Sequence, residues 1–142
     1  MDESLRAALL DSNLWWKGGF PDIHIKPRTL YKEIESYLPK RQIIGIEGLR
    51  RVGKSYLLYH LIDKLLKTKT EPKSILYFSF DAFSQTKLDQ LLASAEELTG
   101  RKPAFAILDE VQKLTDWAEQ VKRLYDQRSV KIIVSGSESL FL

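Results

Sequence analysis

Two short stretches of this 142-residue chain carry residue types that could do chemistry on phosphates. The first, from Gly48 to Ser55, has the spacing G-x-x-x-x-G-K-S. Its glycines allow backbone angles that a Cβ would forbid, so the N–H groups of the loop turn inward and bind phosphate. The lysine of such a loop reaches the β- and γ-phosphates of a nucleotide, and the serine hydroxyl binds Mg²⁺. The predicted nucleotide-binding residues are Gly48, Leu49, Arg50, Arg51, Val52, Gly53, Lys54, Ser55 and Tyr56.

The second stretch is Asp109-Glu110, which follows the apolar run 104–108. A strand that ends in two carboxylates downstream of a phosphate-binding loop resembles a Walker B motif. We expect Asp109 to bind Mg²⁺ together with Ser55, and Glu110 to orient and polarise the attacking water. Alone the pattern is weak, because half-buried strands often end in acids. The glycine-rich loop upstream and the intervening strand make it specific.

Polar residues also follow two further apolar runs. Ser135 and Ser137 come just after the run 130–134. One interpretation is that they sense the γ-phosphate or the attacking water, and the other is that they cap a following helix. Ser79 and Asp81 come at the end of the run 74–80, and they either face the same site or cap a turn.

An alternation of strands and helices has to position these residues. Apolar runs predict strands at about 42–47, 74–80, 104–108 and 130–134, and apolar residues at helical spacing predict helices at 30–38, after Lys54, at 87–99 and from Val111 onward. Such an alternation predicts an α/β protein with a parallel sheet and right-handed crossovers. In open sheets of this kind ligands bind outside the carboxyl ends of the strands, where the two stretches would meet.

The first 28 residues precede this alternation as an N-terminal arm. Its adjacent Trp15 and Trp16 either clamp the arm onto the core, line an adenine pocket, or stack on nucleic-acid bases. Arg28 lies just before the first core helix, and it either contacts adenine or is an ordinary surface arginine.

Composition excludes several classes of protein. The chain has no cysteine and two histidines, which rules out disulfides and thiolate metal sites and leaves too few ligands for a zinc site. No apolar run approaches the roughly 18 residues of a membrane span, and the N-terminus is not a signal peptide, so we expect a cytoplasmic protein without a membrane partner. The net charge of +3 fits an anionic nucleotide at least as well as a nucleic acid.

Four strings point to a family. They are Asn13-Leu14-Trp15-Trp16, the loop from Gly48 to Ser55, Leu108-Asp109-Glu110-Val111-Gln112 with Trp117, and Ser135-Gly136-Ser137-Glu138-Ser139. Together they resemble, over nearly the whole chain, the prokaryotic AAA+ ATPases that carry a C-terminal domain of unknown function. The resemblance implies a three-layer α/β/α P-loop NTPase of the additional-strand, catalytic-glutamate type. It also implies ATP and Mg²⁺ as cofactors, Glu110 and Lys54 as catalytic residues, a homo-oligomer, and a DNA or protein client.

The sheet order of that family is 5-1-4-3-2, and its fifth strand, arginine finger, lid and C-terminal domain would all follow Leu142. The resemblance therefore implies an arm at 1–28 and, at 29–142, a partial ATPase core with order 1-4-3-2 and the fifth strand missing. The first strand would then be a bare apolar edge, which we expect either the N-terminal arm or a second chain to cover.

Three functions remain open at this point. The leading prediction is a Mg²⁺-dependent ATPase. The alternative is a nucleotide-responsive module that binds DNA or protein with negligible hydrolysis, because an arginine finger can contribute orders of magnitude in rate. The third is a nucleotide or small-molecule kinase, which the Asp109-Glu110 pair disfavours.

Overall fold

Helices and strands alternate along the chain as the sequence predicts. The structure is a computed structural model that describes residues 2–23, 29–47 and 54–136. Within these ranges the elements are α1 (Glu3–Ser12), α2 (Thr29–Tyr37), β1 (Ile44–Glu47), α3 (Lys54–Lys67), β2 (Ile75–Ser79), α4 (Leu88–Thr99), β3 (Phe105–Asp109), α5 (Trp117–Gln127) and β4 (Lys131–Gly136). None of these helices combines the length and the apolar character that crossing a membrane requires.

The four strands form one parallel sheet in the order β1-β4-β3-β2. This confirms the predicted fold class and the order 1-4-3-2. The register sets Ser79 of β2 beside Asp109 of β3, and Ile46 of β1 beside Ser135 of β4. Because all four strands are parallel, their carboxyl ends lie at the same end of the sheet, and polar residues that are distant in sequence meet there.

The core lies on both faces of the sheet. Strands β2, β3 and β4 are buried along almost their whole length, as expected of parallel strands covered on both sides. Helix α2 packs against α3, and α4 packs against α5. Right-handed crossovers put α3 on one face and α4 with α5 on the other, which gives the three-layer arrangement.

The N-terminal arm packs on β2, at the opposite edge of the sheet from β1. Both Trp15 and Trp16 are buried, and both indole N–H groups donate to the backbone oxygen of Ile75, at 3.0 and 2.8 Å. This confirms the clamp interpretation and leaves neither indole exposed for base stacking. The expectation that the arm covers β1 is wrong for its described part, because α1 and the tryptophans pair with the β2 edge instead.

The segment after Glu110 differs from the predicted continuous helix. A single 3₁₀ turn spans Val111–Lys113, and α5 begins only at Trp117. The residues between them are not helical. Thr115 N–H donates to the backbone oxygen of Ser84 at 2.9 Å, and Asp116 adopts a left-handed conformation at φ 54°. Apolar spacing alone does not reveal such a break, since apolar residues recur before and after it, at Val111, Leu114 and Trp117.

Candidate nucleotide-binding site

The candidate site lies where the first turn of α3 meets the carboxyl end of β3. Lys54 and Ser55 open α3, and Asp109 ends β3. Ser55 Oγ donates to Asp109 Oδ2 at 2.8 Å, between residues 54 positions apart in sequence. Lys54 Nζ donates to Glu110 Oε1 at 2.7 Å and lies 3.8 Å from Asp109 Oδ1. The structure therefore brings together the lysine, the hydroxyl and the two carboxylates that the two motifs predict.

Asp109 is the centre of this network. Its Oδ2 accepts from Ser55 Oγ and from the Tyr77 hydroxyl, the latter at 2.7 Å. Its Oδ1 accepts from Ser135 Oγ at 2.6 Å and from the Glu110 backbone N–H at 2.9 Å. The carboxylate is only 2% exposed, and four donors satisfy it, as a buried carboxylate requires. Its position and orientation are thus fixed from three strands and a helix.

Glu110 leaves the sheet in a left-handed conformation at φ 53°, which residues other than glycine seldom adopt. Such a conformation costs on the order of 1–3 kcal/mol and persists only where surrounding contacts hold it. Here Lys54 holds Oε1, and Gln112 Nε2 donates to Oε2 at 2.7 Å. The strained turn directs the Glu110 carboxylate back towards the start of α3.

The donor set fits a magnesium ion. Lys54, Asp109 and Glu110 are all buried, and among these three described residues two carboxylates share one ammonium. The Ser55 and Asp109 oxygens lie 2.8 Å apart, and neighbouring oxygens in octahedral Mg²⁺ coordination are about 3.0 Å apart. Among the residues of the three described ranges no group of three or more His, Cys, Asp or Glu side chains could hold a metal. Two protein oxygens completed by water and phosphate match the usual coordination of Mg²⁺.

Two residues of the network were missed by the sequence prediction. Tyr77 sits in the middle of β2, and burial, followed by the charge of Asp109, raises the pKa of its phenol far above the ordinary value. The phenol therefore stays protonated near neutral pH and acts as a donor to Asp109. Gln112 lies in the turn after Glu110 and holds its carboxylate. The available signal was the rule that a buried tyrosine hydroxyl usually finds a partner.

The other predicted site residues fall into four groups. Ser135 joins the network through Asp109, so its side chain reaches the site. Asp81 instead pairs with Lys113 at 2.5 Å and accepts from Ser79 at 3.2 Å, away from Asp109. The role of the half-buried Tyr56 stays a prediction. The predictions for Gly48–Gly53, Arg28 and Ser137 lie outside the described residues.

Sequence comparison identifies longer relatives. Two uncharacterised proteins of Methanocaldococcus jannaschii are 33% and 30% identical to this chain over 80% and 85% of its length, and the matches cover 25% and 27% of those proteins. An uncharacterised protein of Haemophilus influenzae is 28% identical over 68% of this chain and 26% of its own length. The chain thus spans about a quarter of the length of the curated relatives it matches.

Structural comparison and a family model agree with the geometry. The structure of C. elegans PCH-2 matches with a TM-score of 0.56 at 18% identity, over 83% of this chain and 40% of that one, which shows a shared fold. A family model described as AAA domain matches residues 40–142, well over half of the chain and the whole of the site. The chain therefore belongs to the AAA domain family, as a nucleotide-binding domain with a P-loop NTPase-like fold.

Proposed function

We propose that this chain binds ATP together with Mg²⁺ and hydrolyses it, releasing the γ-phosphate as inorganic phosphate. The observation that carries the proposal is the contact between Lys54 and Ser55 at the start of α3 and the two carboxylates at the end of β3. In a phosphoryl-transfer site the protein mainly positions groups and stabilises charge. An ammonium, a hydroxyl and two acids that converge at the carboxyl ends of parallel strands supply the groups that such a site needs.

Binding is assigned to the residues nearest the start of α3. Lys54 Nζ exchanges its contact with Glu110 for the β- and γ-phosphate oxygens. Ser55 Oγ and Asp109 Oδ2 would hold Mg²⁺, which would supply positive charge to the phosphate oxygens. From the spacing of its glycines in the sequence, the segment 48–53 is assigned the remaining phosphate contacts, together with the neighbouring Tyr56.

Hydrolysis is assigned to Glu110. When Lys54 turns to phosphate, Glu110 Oε1 accepts a hydrogen bond from water in place of the ammonium and orients that water towards the γ-phosphate. Ser135 is assigned as a sensor of the γ-phosphate or the attacking water. It acts through Asp109, whose Oδ1 accepts a hydrogen bond from Ser135 Oγ at 2.6 Å. Ser137 remains a proposed second sensor.

Two measurements test this proposal. Calorimetric titration with Mg-ATP should show binding by the wild type, and Lys54→Ala should weaken it by at least about tenfold, since one charge-assisted contact to phosphate contributes roughly 1.5–3 kcal/mol. Steady-state phosphate release should fall by a factor on the order of 10²–10⁴ in Glu110→Gln, the usual contribution of a positioned base. Asp81→Asn is the matched control, because it removes an exposed carboxylate at the end of the neighbouring strand. Equal affinities for wild type and Lys54→Ala, or equal turnover for Glu110→Gln and Asp81→Asn, would reject the assignment.

A second candidate function is a nucleotide-responsive module that binds a DNA or protein client and hydrolyses little. One observation favours it: Lys54 and Gln112 engage both carboxylate oxygens of Glu110. In that case Mg-ATP would bind, Lys54→Ala would abolish binding, and multiple-turnover phosphate release would stay at background for wild type and Glu110→Gln alike.

The proposal extends to the domain organisation and the assembly of the whole protein. We propose that residues 1–28 form an arm and 29–142 part of an ATPase core, and that the parent protein, like relatives more than three times as long, continues into a fifth strand, a lid and a C-terminal domain. We also propose a cytoplasmic homo-oligomer in which a neighbouring subunit contributes an arginine finger. Multi-angle light scattering of the full-length protein with and without ATP tests the assembly.

A further inference from the structure

We propose that Tyr77 is a positioning residue of the metal site, and that Asn13 of the N-terminal arm holds Tyr77 in place. The inference rests on the proposed Mg-ATP site and extends it to two residues outside both motifs. The arm then supports the metal site through Tyr77 of β2.

The first step is the contact between Tyr77 and the metal carboxylate. The Tyr77 hydroxyl donates to Asp109 Oδ2 at 2.7 Å, the same oxygen that Ser55 Oγ contacts at 2.8 Å. A carboxylate oxygen has two lone pairs. With one of them directed at the phenol, the other is directed at the side of Ser55, where Mg²⁺ would be held. Residues that bond the ligands of a metal in this way typically affect its affinity by about 10–100-fold.

The second step is the environment of Tyr77. Its side chain is 5% exposed, and its ring packs against Tyr59 at a centroid distance of 5.1 Å. The ring therefore has one settled position, from which the hydroxyl reaches Asp109. Tyr59 also hydrogen-bonds Tyr77 through its side chain, so it belongs to the same network. Tyr125 offers the matched control, because it carries the same hydroxyl on α5 and lies beside Ala104 and Lys131, at the amino ends of β3 and β4.

The third step is the way the arm fixes β2. Among the strands of the described ranges β2 is an edge of the sheet, so the N–H and C=O of Tyr77 that point away from β3 have no strand partner among them. The Asn13 side chain takes that place: its Oδ1 accepts from Tyr77 N–H at 2.7 Å, and its Nδ2 donates to Tyr77 O at 3.0 Å. Asn13 is 1% exposed and 64 residues from Tyr77 in sequence. The chain of contacts runs from Asn13 through Tyr77 to Asp109.

The test is the Mg²⁺ dependence of nucleotide binding, which needs no turnover. A fluorescent ATP analogue is held at fixed concentration, Mg²⁺ is titrated, and the analogue affinity is also measured in EDTA. Tyr77→Phe should raise the apparent Mg²⁺ dissociation constant by about 10-fold or more, while the EDTA affinity stays within about twofold of wild type. Tyr125→Phe should leave both values unchanged.

The outcomes separate this proposal from the proposed function. If the wild type binds no nucleotide, the proposed function fails. If the wild type binds with Mg²⁺ dependence but Tyr77→Phe matches Tyr125→Phe, the positioning role alone is refuted. An equal loss of affinity with Mg²⁺ and with EDTA in Tyr77→Phe also refutes it, because the tyrosine would then act through general packing.

The role of Asn13 is tested by a double-mutant cycle. Asn13→Ser should raise the Mg²⁺ dissociation constant in a wild-type background and add little in the Tyr77→Phe background, because both changes remove the same positioning of Asp109. Full additivity would overturn the link between the arm and the site. Circular dichroism establishes that each variant is folded at the assay temperature, and if Asn13→Ser does not fold, the Tyr77→Phe titration still decides the role of the tyrosine.

Discussion

Replacing Asn13 by alanine should destabilise the protein by about 2–4 kcal/mol. The change removes both bonds between the Asn13 amide and the backbone of Tyr77. It also removes the bond from Nδ2 to Leu9 O, but that oxygen keeps a bond from the Asn13 backbone N–H at 3.1 Å. Two buried groups of Tyr77 thus lose their partner, and each unsatisfied group costs about 1–2 kcal/mol.

The neighbouring tryptophan provides the contrast. Trp16→Phe removes an indole N–H, but the acceptor, Ile75 O, keeps the bond from Trp15 Nε1 at 3.0 Å. No acceptor is orphaned, and the ring volume is largely kept. The loss should therefore stay below about 1.5 kcal/mol, the upper range for one hydrogen bond with a satisfied partner.

Urea unfolding, followed by tryptophan fluorescence and far-UV circular dichroism, measures both losses. For a domain of this size about 3 °C in melting temperature corresponds to 1 kcal/mol, so Asn13→Ala should melt roughly 6–12 °C below the wild type. A loss of less than about 1 kcal/mol in Asn13→Ala, or an equal loss in both variants, would show that the arm does not complete the edge of β2.

Two further predictions concern the site without nucleotide. Lys54→Met should destabilise the protein by about 1–2 kcal/mol more than Glu110→Gln does. The first change removes the ammonium that both buried carboxylates contact, whereas the second leaves Lys54 beside Asp109. Equal losses of unfolding free energy in urea would contradict this. The raised pKa of Tyr77 predicts an alkaline effect: the folded protein keeps a proton that the unfolded chain releases above pH about 10, so stability is lost as the pH rises. Between pH 9 and 11 the wild type should lose about 1.4 kcal/mol more than Tyr77→Phe, and parallel curves for the two proteins would contradict the assigned environment of the phenol.

The fold and the main site residues could be predicted because their signals are local. The alternation of apolar runs and helical patterns predicts a parallel sheet, and a parallel sheet brings strand ends to one edge. That is why Ser55 and Asp109, 54 residues apart, could be expected to meet. The chemistry of a lysine, a hydroxyl and two acids then predicts phosphate and magnesium.

The missed parts depend on tertiary register. Tyr77 reaches Asp109 only because β2 and β3 pair with Ser79 beside Asp109, and an apolar run does not reveal that register. Either the arm or a second chain was expected to cover β1, because that edge is apolar. It lies on β2, because the Asn13 amide and the paired tryptophans fit the backbone groups of that strand. Such long-range side-chain contacts with backbone leave no periodic signal in the sequence.

The most direct test of the Mg-ATP site is calorimetric titration with ATP of the wild type and Asp109→Asn, each with Mg²⁺ and with EDTA. The account predicts that Mg²⁺ strengthens binding of ATP to the wild type at least about tenfold and that this gain is lost in Asp109→Asn, whose affinity in EDTA stays near that of the wild type. A wild type that binds ATP equally well with and without Mg²⁺, or an Asp109→Asn variant that keeps the whole gain, would contradict it.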